Sequence, residues 1–167
     1  MIDLTTTPRE KRLNLGCGDD IQQHRWNVDR FEVPGVDQVV DLNFVDPAGR
    51  RRQWPWADGH FREVFAYDVI EHLHDKIYTM NEIWRILVAG GILDLAVPTT
   101  DGPGAWQDPT HCSWWNRRSF LYYEEGSPYR ERFAKSYGIV ARFQTLYERL
   151  EDTVDGPRLL LTLEVVK

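Results

Sequence analysis

Cysteine is scarce. The 167 residues hold two, Cys17 and Cys112, far apart and in no Cys-x-x-Cys pair. That excludes a disulfide framework, argues against a cysteine-built zinc site, and suits a reduced cytoplasm. Excess positive charge is also missing: 20 Lys and Arg face 26 Asp and Glu, a net charge of -6. Phosphate backbones call for a concentrated positive field, so nucleic acid is not an expected partner. No run approaches the roughly 18 apolar residues of a membrane span, so no membrane partner is expected either. Residues 1–12 contain no apolar core of the kind a signal peptide needs. Repeats, low-complexity tracts and linkers are absent. With 42% hydrophobic and 28% charged residues, the composition is that of a folded chain. The length suits one domain, so the expectation is a single cytoplasmic domain over residues 1–167.

What is present is a succession of short apolar stretches punctuated by turns. Arg12-Leu13-Asn14-Leu15 reads as a strand running into Gly16-Cys17-Gly18. Trp26-Asn27-Val28 ends in Asp29 and, after a Pro34-Gly35 turn, Gln38-Val39-Val40 ends in Asp41. Residues 43–60 read as loop, with Trp54-Pro55-Trp56 serving either to plug the sheet edge or to wall a ligand pocket. A fourth strand covers 61–67. Ile77, Met80, Ile83, Trp84 and Leu87 repeat at helical spacing, predicting a helix over 77–88 stopped by Gly90-Gly91. A fifth strand follows at 92–97, then a long loop over 98–115, a helix over 116–124, and a hairpin of 143–150 with 159–166. The pattern predicts an α/β fold: a Rossmann-like, mostly parallel open sheet with an antiparallel C-terminal hairpin. Only about seven residues separate Gly18 from Trp26, so the first crossover helix should be shortened or absent.

In such sheets ligands bind at the carboxyl ends of the strands, where Gly16-Cys17-Gly18 sits. A dinucleotide fits poorly. The third glycine of the fingerprint is Ile21, and the acid ending the second strand, Asp29, follows Gly18 by only 11 residues where about 20 is usual. Asp19 and Asp20 would also repel a pyrophosphate. A cationic ligand with a ribose and no phosphate suits these residues better, and S-adenosylmethionine (SAM) is one. Asp29 can accept from both ribose hydroxyls, Asp41 can accept from the adenine amino group, and the Leu42 amide can face the ring.

Several stretches, taken in order, resemble the small class I SAM-dependent methyltransferases. They are Leu13-Asn14-Leu15-Gly16-Cys17-Gly18, Trp26-Asn27-Val28-Asp29, Val40-Asp41-Leu42-Asn43, residues 61–73, Asn81 to Leu87 with Gly90-Gly91, and Leu95-Ala96-Val97-Pro98. The resemblance covers roughly residues 12–125. It implies SAM as cofactor, with Asn14, Gly16, Cys17, Gly18, Asp29, Asp41, Leu42 and Asp68 around it, and a small-molecule or glycan acceptor. Asn14 departs from the acid often found there, and Cys17 is expected for its small size rather than as a nucleophile. The chain starts almost at the glycine motif, so the helices that commonly cap the acceptor are not expected. The site should then be open, or closed by a partner subunit in a homodimer. The alternative reading is a SAM-binding or protein-interaction module without activity.

Two groups of residues remain. Asp68, Glu71 and His72 stand at i, i+3 and i+4 and could ligate a divalent metal, but a capping box with Asp68 as the cap and Glu71 at the third position is the preferred reading, so no metal is expected. The 98–115 loop carries Trp106, Asp108, His111, Trp114 and Trp115, more aromatic and polar groups than a connection needs. It predicts an acceptor wall of Trp106, His111, Trp114 and Trp115, with His111 as general base oriented by Asp108. The competing role for these side chains is structural packing.

Overall fold

The structure, a computed structural model, describes residues 7–167; the first part of the stretch without a signal-peptide core lies outside the described residues. Its strands are β1 (Arg12–Leu15), β2 (Trp26–Asp29), β3 (Gln38–Val39), β4 (Phe61–Tyr67), β5 (Leu87–Pro98), β6 (Phe143–Thr153) and β7 (Gly156–Val165). Its helices are α1 (Lys76–Ile86), α2 (Gly104–Gln107), α3 (Arg117–Phe120) and α4 (Pro128–Tyr137). The strands form one sheet in the order β3-β2-β1-β4-β5-β7-β6. The first five are mutually parallel, and β7 runs antiparallel between β5 and β6. This is the expected Rossmann-like sheet. No helix among the described residues is long and apolar enough to cross a membrane.

Strand alternation sorts the two faces. Leu13, Leu15, Val28, Val64, Ala66, Leu93, Leu95, Val97, Leu161 and Leu163 are buried on one face, together with Met80, Ile83 and Ile86 of α1. The other face has no crossover helix to cover it, because none lies between β1 and β2, β2 and β3, or β3 and β4. Its half-buried Phe65 and Tyr67 stack at 3.9 Å, with Arg25 over Phe65 and Arg158 over Tyr67. Glu63, buried on this face, is held by Arg12 (2.7 Å) and Arg25 (3.1 Å).

A parallel pair normally needs a crossover of a dozen residues or more, usually a helix. Residues 16–25 manage without one because two buried amides do its hydrogen bonding. Asn14 Nδ2 donates to the Asp20 carbonyl (2.8 Å) and to Asn27 Oδ1 (3.0 Å). Asn27 Oδ1 also accepts from the Gln22 amide, and its Nδ2 donates to the Gln22 and Arg25 carbonyls. The backbone groups that a helix would satisfy internally are satisfied here by side chains.

Three boundaries differ from expectation. The first helix ends at Ile86 and strand β5 starts at once with Leu87, pairing with Phe61. Gly90-Gly91 is therefore not a helix stop but an irregularity inside β5, where the register jumps between Phe61 and Glu63 and Gly90 adopts φ 70°. The helix expected over 116–124 is a single turn, α3, capped by Asn116. Helix α4 was not anticipated. Ser127 caps it, Pro128 opens it, and Gly138 ends it at φ 72°.

Asn27→Ala removes one of the two acceptors of the Asn14 amide and strips partners from the Gln22 amide and the Gln22 and Arg25 carbonyls, each lost partner costing about 1–3 kcal/mol. It should lower unfolding stability by roughly 3 kcal/mol or more in urea titrations, and a loss below about 1 kcal/mol would refute the role given to the amide pair. A second expectation concerns acid. Burial alone would raise the Glu63 carboxyl, but the bonds from Arg25 and Arg12 outweigh it and hold it below the ordinary 4.5. A group lowered on folding stabilises above its unfolded value, and that stability is lost as pH falls through the folded value. The stability gap between wild type and Glu63→Gln should therefore be full at pH 7 and close in acid below pH 4.5; a pH-independent gap would contradict it.

Candidate functional site

The strand order reverses between β1 and β4, and the carboxyl ends of these strands open a cleft of about 510 Å³. Glycine is required at the turn after β1. Gly16 adopts φ 63°, and a Cβ there would overlap the side chain of Val69, whose own Cβ would lie 2.8 Å away. Gly18, at φ 48°, leaves open space where a Cβ would point. Asp29, at the end of β2, ties the turn down: Oδ2 accepts from the Gly18 amide (2.9 Å) and Oδ1 from the Phe31 amide (2.9 Å). Asp41 Oδ1 accepts from the Asn43 amide. Gly16, Gly18, Asp29, Asp41, Leu42 and Asp68 all line the cleft, with Val40, Val69 and Leu73 forming apolar wall.

Asn14 and Cys17 do not line it. Asn14 is turned inward to the amide network, and Cys17 is 5% exposed. Burial, with Asp29 adding to it, pushes the Cys17 thiol up to about 11, so it is inert as a nucleophile at neutral pH. Trp54 and Trp56 are packed inward, their rings edge to face; Trp56 acts as plug, while Trp54 also lines a cavity that shares Val40 and Asp41 with the cleft.

Asp68 is the residue that most departs from its expected role. It caps no helix. The turn that follows, Ile70–His72, has no side-chain cap, so neither half of the expected capping box exists. Asp68 instead takes φ 53°, unique among described non-glycine residues, and its carboxylate pairs with Arg158 at 2.6 Å. A strained conformation at the switch point is a common mark of a working site.

Beyond Asp68 and His72 lies a second cleft of about 390 Å³, sharing both residues with the first and lined also by Glu71, Asp108, His111 and Arg158. The 98–115 loop builds it by docking on the turn after β4. The Cys112 and Ser113 amides both donate to the Glu71 carbonyl at 2.9 Å, and Ser113 Oγ donates to the Ile70 carbonyl. This brings the rings of His72 and His111 to 4.8 Å. Pro109 and Thr110 form the tight turn, closed by the His111 amide on the Asp108 carbonyl at 3.2 Å. Asp108 does not orient the ring as expected, however. His111 Nδ1 meets the Ala105 carbonyl at 3.1 Å, while Asp108 Oδ2 stands 3.9 Å from Nε2 and Oδ1 is engaged by Thr110.

Glu71, assigned to capping from sequence, is the group that reasoning missed. It is 2% exposed, and its Oε2 has no hydrogen-bond partner. Burial, reinforced by the charges of Asp68 and Asp108, pushes its carboxyl up to about 8. The Glu-His pair after β4 was the signal; that it faces inward could not be read from spacing. Of the expected aromatic wall, Trp115 is fully buried against Phe120 and drops out. Trp106 and Trp114 are exposed and stack on each other at 5.5 Å.

No protein-family model matches the chain, and no curated protein is significantly similar in sequence. Solved structures match in fold. The Burkholderia thailandensis 1,6-didemethyltoxoflavin-N1-methyltransferase, solved with 1,6-didemethyltoxoflavin and S-adenosylhomocysteine, aligns with a TM-score of 0.60 at 13% identity over 93% of this chain and 70% of its own. The N-methyltransferase NodS of Bradyrhizobium japonicum gives 0.59 at 12% identity over 98% and 90%. The [4+2]-cyclase SpnF gives 0.59 at 13% identity over 97% and 76%. The chain thus has the Rossmann-like fold of class I methyltransferases, a fold that in the cyclase serves another reaction.

The two turn glycines should respond unequally to substitution. Gly16→Ala combines overpacking, about 1–3 kcal/mol, with roughly 1–2 kcal/mol of left-handed strain. Gly18→Ala carries the strain alone. Melting temperatures should fall clearly further for Gly16→Ala; equal shifts would mean that Val69 yields freely.

Proposed function

We propose that the chain is a SAM-dependent methyltransferase acting on a small-molecule or sugar-type acceptor. One observation carries this reading: at the switch point, the β2-terminal carboxylate of Asp29 is fixed against a glycine turn beside an apolar-walled cleft. Each Asp29 oxygen accepts one backbone amide and keeps a lone pair, enough for a ribose diol. Val40, Leu42, Val69 and Leu73 offer apolar surface for an adenine, and Asp41 an acceptor for its amino group. The carboxylates of Asp29 and Asp41 at the cleft suit a cationic ligand and disfavour a pyrophosphate. The volume lies in the ordinary range for small-ligand sites, roughly 300–1,000 Å³. The residues present therefore fit SAM.

When bound, SAM supplies an electrophilic methyl group on a sulfonium, a good leaving group. The work left to the protein is to bind, orient and exclude water. Asp29 and the glycine turn set the depth of the cofactor cleft. Asp68 and His72 form the shared wall through which the two clefts meet. The second cleft, with His111 and Asp108 at its side, is where an acceptor would lie, and the exposed Trp106–Trp114 pair on the same loop offers a flat apolar surface for a ring or sugar face.

Charged hydrogen bonds contribute about 1.5–3 kcal/mol each. Asp29→Ala should therefore weaken SAM binding by at least about tenfold in calorimetry, with Asp41→Ala losing less and both variants still melting cooperatively. Unchanged affinity in folded Asp29→Ala would remove the basis of the proposal, as would a wild type stabilised by NAD and not by SAM.

A further inference from the structure

Glu71, His72 and His111 each offer a ligand atom within 4.8 Å of one another. His111 lies 39 residues beyond His72 and arrives only because its loop docks on the turn after β4. The trio differs from the Asp68–Glu71–His72 set that the sequence suggests, since Asp68 is taken by Arg158.

The hydrogen bonds fix which nitrogen each ring presents. His111 Nδ1 faces a carbonyl, that of Ala105, which can only accept, so Nδ1 carries the proton. Thr110 donates its hydroxyl hydrogen to Asp108 Oδ1 at 2.6 Å. Its oxygen can then only accept from His72 Nδ1 at 3.0 Å, and the Thr110 carbonyl accepts there too. When neutral, both rings are thus Nδ1–H tautomers that present Nε2 to the site, with His111 Nε2 standing 3.9 Å from Asp108 Oδ2. A ring proton donated to a backbone carbonyl, with the other nitrogen left free, is the usual support of a metal-ligating histidine. The third donor is independent of the rings: Glu71 is 2% exposed and its Oε2 lacks any partner, an arrangement that costs free energy unless something occupies the site.

We propose that Glu71, His72 and His111 form a binding site for one divalent transition-metal cation. Two imidazoles and a carboxylate select zinc, cobalt, iron or manganese over calcium or magnesium. Ligands about 2.1 Å from a tetrahedral ion are roughly 3.4 Å apart, so the observed spread of up to 4.8 Å requires closing by about 1.4 Å, within reach of side-chain rotation. Three protein ligands leave coordination positions open towards the second cleft, as in catalytic sites. An ion there would hold a hydroxyl-bearing acceptor and lower the pKa of that hydroxyl, its proton leaving to water. This last assignment rests on the methyltransferase reading; the cation site does not.

The test is titration of chelator-treated protein with cobalt(II), followed by visible absorption. Wild type should bind one equivalent saturably, with the intensified band of a low-coordinate site. His72→Ala and His111→Ala should each weaken binding at least tenfold, as should Glu71→Gln, which keeps the side-chain volume; His24→Gln, remote from the cluster, should not. Melting curves confirm that each variant is folded. No saturable binding by wild type, or equal binding by folded His72→Ala and His111→Ala, overturns the site. SAM calorimetry on the same samples separates the two proposals: cobalt bound without SAM sinks the methyltransferase reading and leaves the site standing, and SAM bound without cobalt does the reverse.

Discussion

The buried contact between Asn14 and Asn27 is the constraint on which the cleft depends. Two parallel neighbours joined by ten residues leave the connecting backbone without helical partners. An unpaired backbone group out of water costs as much as a lost hydrogen bond. The amides meet that demand from within β1 and β2. They hold the connection close against the sheet and let the chain reach Asp29 quickly. Gly16, Gly18 and Asp29 stand where they do because this short path is stable. The same economy leaves one sheet face without crossover helices, and the arginines and the stacked Phe65 and Tyr67 take over its protection.

A second docking event builds the other half of the site. The Glu71 carbonyl, free because the turn after β4 is only three residues long, is taken by the amides of residues 112–113, and the Ile70 carbonyl, which also accepts from the Leu73 amide, takes the Ser113 hydroxyl. Secondary structure that stops early exposes acceptors, and a distant loop satisfies them. His72 and His111 become neighbours as a result of that backbone bonding.

Much of this architecture was legible in the residues. Strands β1, β2 and β4 are apolar runs closed by glycine or aspartate, and the short first crossover followed from counting residues. Gly90-Gly91 misled because a helix can pass directly into a strand when the strand's partner, here Phe61, is supplied from elsewhere in the chain. Helix α4 carried readable signals at both ends, Ser127-Pro128 and Gly138, and its aromatic repeat of Tyr129, Phe133 and Tyr137 at four-residue spacing lies in an otherwise polar stretch. At the site, residues on one strand end and its turn, such as Asp29 with Gly18, were visible in sequence because their contacts are local. The inward Glu71 and the burial of Trp115 were not, since which way a side chain faces is decided by packing between segments far apart in the chain.

The exposed tryptophan pair has an optical consequence. Five of the seven indoles, at 26, 54, 56, 84 and 115, are buried or half-buried, whereas Trp106 and Trp114 lie open to water with rings 5.5 Å apart and nearly parallel. Stacked chromophores this close share their excited states. Coupling of their strong transitions produces a paired positive and negative band in far-ultraviolet circular dichroism that isolated indoles lack. Both rings ride on the loop that carries His111, so the molecule has a built-in spectroscopic reporter of that loop's arrangement and needs no attached dye.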